Sequence, residues 1–163
     1  MDDLFRQPQR EFHYFAISLT GKMKKQWTED TWKLFEKIIL THSWWDTVDA
    51  IASGIVGDYF RRYPALIDHV TGPWNQSENM WLVRTSILFQ LSYKRDTDQK
   101  LLFKYIKPHL GSKEFFIQKA IGWALRQYAR TNPEAVLEFA NTHELAPLSR
   151  REAMKHVSVE KFL

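Results

Sequence analysis

Ser43-Trp44-Trp45-Asp46-Thr47-Val48-Asp49 sets acids beside indoles, the residue types that can display a carboxylate against an aromatic wall. Asp49 follows Trp45 at i+4, so on a helix the two side chains share a face. Asp49 also stands in an apolar stretch, TVDAIA, where an unpartnered carboxylate is costly to bury. It is expected either in a structural ion pair or displayed beside an aromatic wall. Asp46 reads as a cap acid, because Ser43 and Asp46 form an S-x-x-D helix start. Arg84 is the only charge between Met80 and Tyr93. A lone guanidinium in so apolar a helix either pairs with a buried acid or lines a groove that binds an anion. Lys119, Trp123, Arg126 and Arg130 follow i, i+4, i+7, i+11 and draw a stripe of cations with one indole inside it. That stripe is either an ordinary solvated face or a phosphate-tracking surface with a stacking platform.

Other chemistries lack their residues. The chain has no Cys, which removes disulfides, thiolate metal sites and a cysteine nucleophile. Its six His show no H-x-x-x-H pair and no acidic partner at ligand spacing, so no metal is expected. A nucleophile elbow, a P-loop and a dinucleotide fingerprint are all missing, and no cofactor is expected. Gly54-Ile55-Val56-Gly57 fits G-x-x-G but falls where a helix is expected to end. His42 precedes Ser43 and so lies outside the Trp45/Asp49 face.

These side chains need elements to position them, and the composition supplies helices. The 163 residues suit one domain, here expected to span 1–163, and 44% hydrophobic with 26% charged content is ordinary globular usage. Six Gly and six Pro are too few for a turn-rich β protein. A net charge of 23 − 19 = +4, a pI near 9.3 and seven Trp favour an anionic partner that stacks. No apolar run reaches a membrane span and the first residues are no signal peptide, so a cytoplasmic protein without a membrane partner is expected.

Helix signals recur along the chain. Pro8 opens a helix that Gly21 stops, with Phe12, Phe15, Ala16 and Leu19 inward. Thr28 starts one with Trp32, Phe35, Ile38 and Ile39 inward, ending near Leu40. Ser43 starts a third that runs toward Gly57, and Pro64 a short one stopped by Thr71-Gly72-Pro73. Ser77, Asp96-Thr97, Ser112, Asn132-Pro133 and a Ser149/Glu152 capping box begin the rest. No segment alternates with period two between hairpin signals, so the protein is all-α. Similar helices joined by short turns suggest antiparallel pairs stacked as a HEAT-type α-solenoid, with a compact bundle as the rival.

SWWDTVD, MWLVRTSILFQLSYK and FFIQKAIGWALRQYA, in this order and spacing, resemble the AlkD-like DNA alkylation repair glycosylases, from about Pro8 to Val157. The resemblance implies a curved stack of HEAT-like repeats whose concave face holds double-stranded DNA. It implies excision of cationic N3- and N7-alkylated purines without base flipping, by a monofunctional hydrolase acting as a monomer in the bacterial cytosol or nucleoid. Carried over by position, Trp45 and Asp49 match the catalytic pair, Arg84 the neighbouring arginine and Trp123 the second groove tryptophan. Trp44, Lys119 and Arg126 match the DNA-binding context, as Asp46 does the motif context. The family's helices before the segment matching Asp2 have no counterpart in this sequence. A non-catalytic helical-repeat module that binds DNA or a protein is the alternative expectation.

Overall fold

A computed structural model describes residues 2–157, and every regular element among them is a helix. Residues 1 and 158–163 of the expected 1–163 domain lie outside the described residues. The chain divides into two compact units, Met1–Ser92 and Tyr93–Leu163.

The first unit holds α1 (Asp2–Phe5), α2 (Arg10–Lys22), α3 (Trp32–Leu40), α4 (Trp45–Ala50), α5 (Gly57–Arg62), α6 (Ile67–Asn75) and α7 (Met80–Leu88). Its core is aromatic at the centre. Phe35 meets Tyr59 edge-to-face at 5.3 Å, Trp27 meets Phe35 at 5.5 Å and Phe60 meets Phe89 at 5.4 Å. The polar ends of these rings are satisfied where they bury. The Tyr59 hydroxyl donates to the Glu29 carbonyl at 2.7 Å, and the Trp74 indole N–H donates to Glu36 Oε1 at 2.7 Å. On α3, Phe35, Ile38 and Ile39 face inward as expected.

The second unit holds α8 (Gln99–Ile106), α9 (Phe115–Ala129), α10 (Pro133–Thr142) and α11 (Pro147–Ala153). Asn132 caps α10 through the Ala135 N–H at 3.1 Å, with Pro133 at the first helical position. The cap of α8 is Asp98, which accepts from Leu101 N–H at 3.0 Å, two residues beyond the expected start at Asp96. Gly122 lets α9 and α11 touch. A Cβ there would stand 2.6 Å from Glu152 Cβ and 3.0 Å from the Ser149 carbonyl oxygen.

Several local expectations fail for tertiary reasons. The helix expected to end at Gly57 runs on to Arg62, and a π-helical turn, Ile51–Val56, replaces the break. The buried side of α2 is His13, Ala16 and Thr20, while Phe12 and Phe15 are exposed. The polar members of that side bury with partners, since His13 Nε2 meets the Gln7 carbonyl at 2.8 Å and Thr20 Oγ1 donates to the Ala16 carbonyl at 2.7 Å. Gly72 and Pro73 lie inside α6, which continues to Asn75 because Trp74 is anchored in the core. Ser149 and Glu152 form no capping box. Pro147 opens α11, Ser149 donates instead to the Gln118 carbonyl at 2.8 Å, and Glu152 faces the cations of α9.

Candidate functional site

In the first unit, α4 carries Trp45 on its first turn and Asp49 one turn later, just before the π-turn. Ser43 does not cap this helix. Its hydroxyl donates back to the Ile39 carbonyl at 2.5 Å and closes α3, so α4 starts after Trp44. The Asp49 carbonyl accepts the Ser53 hydroxyl at 2.8 Å, which ties the residue to the π-turn behind it.

Asp49 and Arg84 meet head-on. Arg84 Nε donates to Asp49 Oδ1 at 2.7 Å and Nη2 donates to Oδ2 at 2.8 Å, a two-bond fork across α7 and α4. The residues are 8% and 3% exposed, so the pair is largely withdrawn from water. Of the two readings open for Arg84, pairing with a buried acid is the one realised. Its fork is turned to a carboxylate, not presented as an open phosphate site. Trp44 and Trp45 contrast with this pair at 46% and 47% exposed. The unit therefore presents indole surface on the same short helix that holds a fixed, almost buried carboxylate.

Asp46 behaves differently from a simple cap acid. It accepts the Thr47 backbone N–H at 2.7 Å, the Arg10 guanidinium at 2.6 Å and the Tyr14 hydroxyl at 2.7 Å. Partial desolvation pushes its carboxyl up, but the bonds from Tyr14, Thr47 and Arg10 outweigh this and hold it below the usual carboxylate range. Arg10 and Tyr14 sit one turn apart on α2, so this cluster pins the start of α4 to a helix more than thirty residues earlier in sequence. Sequence reading missed Arg10 and Tyr14, because only their i, i+4 spacing was visible and nothing local joins them to Asp46.

In the second unit, α9 carries Lys119, Trp123 and Arg126. Trp123 is half-buried and is not among the core side chains. Lys119 and Arg126 flank Gly122 and converge on the buried Glu152 of α11. Arg126 Nη1 lies 2.8 Å from Oε2, and Lys119 Nζ 3.4 Å from Oε1. Lys155 joins them at 2.9 Å. Hydrogen bonding from Lys155 and the charge of Lys119 hold the Glu152 carboxyl below its ordinary range against the opposing effect of burial. The expected stripe is thus a three-cation cluster around one acid, with a formal sum of +2. Glu152 was missed because its spacing from Ser149 imitated a cap.

Among the described residues, no group of three His, Asp or Glu is placed to hold a metal ion. No helix among them is long and apolar enough to cross a membrane.

The family model for the DNA alkylation repair enzyme matches residues 1–157. A solved structure from Enterococcus faecalis, described as a "Predicted DNA alkylation repair enzyme", is similar at 33% identity with a TM-score of 0.90, over 96% of this chain and 73% of that one. No functionally curated protein matches the chain significantly. An all-α fold shared with that structure and a family match across nearly the whole sequence agree: the chain belongs to the DNA alkylation repair enzyme family.

Proposed function

We propose that this protein is a monofunctional DNA glycosylase that hydrolyses the N-glycosidic bond of cationic N3- and N7-alkylated purines in double-stranded DNA. The observation that carries the reading is the Asp49 carboxylate, held in a two-bond fork by Arg84 one turn from the exposed Trp45. An N3- or N7-alkylated purine already bears positive charge and departs as a neutral base, so no general acid is required. Cleavage transfers that charge to the deoxyribose. A carboxylate whose orientation is set before the reaction stabilises charge where it develops, without reorganisation. Asp49 supplies that charge and orients the attacking water, Arg84 orients Asp49, and Trp45 presents a ring face that favours a cation. Trp123 adds a second indole, while Trp44, Lys119 and Arg126 contribute to DNA binding. The lesion is recognised by its charge in the stacked duplex, and the protein works as a monomer in the cytosol.

The test is release of free base from a duplex containing N7-methylguanine. Asp49→Asn should slow release by about 10²–10³-fold, the typical effect of one lost preorganised contact. Because the substitution also removes a charge partner from Arg84, both readouts are taken on protein shown by circular dichroism to be folded, and there the affinity for undamaged duplex should stay within about twofold. Wild-type protein that binds duplex but releases no base would refute the enzyme reading. A non-catalytic DNA-binding module is then favoured, and the burial of both Asp49 and Arg84 is what a purely structural ion pair also presents.

A further inference from the structure

A cleft of about 320 Å³ opens beside the start of α4, lined by Pro8, Arg10, His13, His42, Trp44 and Thr47 among others. Its size is at the small end of ligand clefts, which run roughly 300–1,000 Å³. His13, His42 and Trp44 bring planar rings to its lining, and Phe5 packs behind them outside it. Phe5, His13 and His42 form a stack, with centroids 5.6 Å apart at 6° and then 5.3 Å apart at 20°. Phe5 and His13 are buried, His42 is the exposed end of the stack, and the half-exposed Trp44 stands beside it.

The polar groups of the cleft are built to different ends. A carbonyl can only accept, so the 2.8 Å contact of His13 Nε2 with Gln7 O places a proton on that nitrogen. His13 is 3% exposed and lines the cleft, and its bond to Gln7 through Nε2 leaves Nδ1 as the ring's other nitrogen. In the uncharged ring that nitrogen is an acceptor. Arg10 bonds Tyr14 and Asp46 through Nη2, which leaves Nε and Nη1 as donors among the described residues. Asp46 at 2.6 Å cancels the charge of Arg10. A phosphate would therefore meet a carboxylate beside its only fixed cation, and a cationic ligand would meet the guanidinium. A neutral, planar molecule with both donors and acceptors on its edge fits rings, donor and acceptor together.

His42 is also held in an unusual way. Its φ of 48° is left-handed, a conformation that costs an L-residue with a Cβ and that glycine or asparagine accepts more readily. From that backbone the ring stacks on His13 and lines the cleft.

We infer that this cleft binds a neutral purine base, the product freed by the reaction, next to the helix that carries Trp45 and Asp49. The identity of the purine rests on the proposed glycosylase reading, but purine binding can be read without DNA or turnover, so the two fail separately. The probes are 3-methyladenine and adenine added to the full chain, followed by the imidazole NMR signals and by tryptophan fluorescence. Both bases should shift the ring signals of His13 and His42 and quench the indole emission. His42→Gly should weaken binding by about tenfold or more, a change of roughly 1.4 kcal/mol. Its thermal midpoint should hold or rise, because glycine relieves the left-handed backbone. His42→Asn, which also tolerates that backbone, should behave alike and guards against a folding artefact. The cationic nucleoside 7-methylguanosine should bind at least about tenfold more weakly than the neutral bases. Unshifted histidines, equal binding by the cationic nucleoside, or full binding by both His42 variants would each overturn the assignment. So would displacement of the free base by a single-stranded oligonucleotide, which would reassign the cleft to bases still attached to DNA.

Discussion

Asp49 and Arg84 form a forked pair at the scale of single residues, and their burial makes each dependent on the other. Neither ion is stable away from water without its partner, since the lost hydration must be offset by a short, well-directed fork. Arg84→Ala should therefore destabilise the protein by about 3–5 kcal/mol, as removal of one member of a buried pair typically does. Chemical denaturation would read this directly. Replacing both residues by leucine should recover a large part of the loss and abolish base release, which separates the pair's structural role from its proposed catalytic one. A double variant as unstable as Arg84→Ala would show that the loss does not come from the stranded carboxylate. The sequence marked both residues as anomalies in apolar surroundings, because a charge without local partners is visible in one dimension. It could not join them, since 35 residues separate Asp49 from Arg84.

Two glycines show how the elements themselves are set. Gly54 lies in the π-turn, and a Cβ added there would meet nothing within 4 Å. Gly122 lies in α9 where Glu152 Cβ would be 2.6 Å away. The same substitution should act with opposite sign at the two places. Gly54→Ala should stabilise by about 0.5–1 kcal/mol through reduced backbone freedom in the unfolded chain. Gly122→Ala gains about the same in helix propensity but overpacks the α9–α11 contact at a cost of about 1–3 kcal/mol, so its thermal midpoint should fall. Equal shifts at both sites would mean that close approach at Gly122 is not limiting. The same contact positions Glu152 among Lys119, Arg126 and Lys155. Its carboxyl lies below the ordinary value in the folded protein, so its ion pairs contribute fully above the unfolded carboxyl value of about 4.3. That contribution is lost as pH falls through the lower native value. Glu152→Gln should flatten the acid side of the stability profile, and thermal midpoints measured between about pH 2 and 6 would show it. An unchanged acid limb would mean that other carboxylates govern it.

For the whole molecule, the DNA alkylation repair family match spans residues 1–157, and the proposed reaction turns on the lesion's charge. In the proposed reaction the lesion's own charge takes the place of a proton donor, and Arg84 donates to both oxygens of the Asp49 carboxylate. Release should be efficient for N3- and N7-alkylpurines, which leave uncharged, and nearly absent for hypoxanthine or ethenoadenine, which need protonation. The rate should show no basic limb from an essential acid as pH rises. Chromatography of free bases from matched duplexes across pH would check both. Efficient hypoxanthine release, or a bell-shaped profile, would show that a proton donor takes part.

What the sequence determined alone is what local chemistry encodes. Helical periodicity, the absence of period-two alternation, the Asn132-Pro133 cap and the joined motifs around Trp45, Arg84 and Trp123 establish an all-α chain and its family. Tertiary packing decided wherever two distant segments compete for one group. Ser43 serves α3 instead of α4, the inward side of α2 carries His13 and Thr20 beside Ala16 instead of Phe12 and Phe15, and Glu152 neutralises cations instead of capping its own helix. Each of these depends on which partner lies within about 3 Å across the fold, and hydrogen-bond and ion-pair energies fall too steeply with distance for sequence spacing to reveal it.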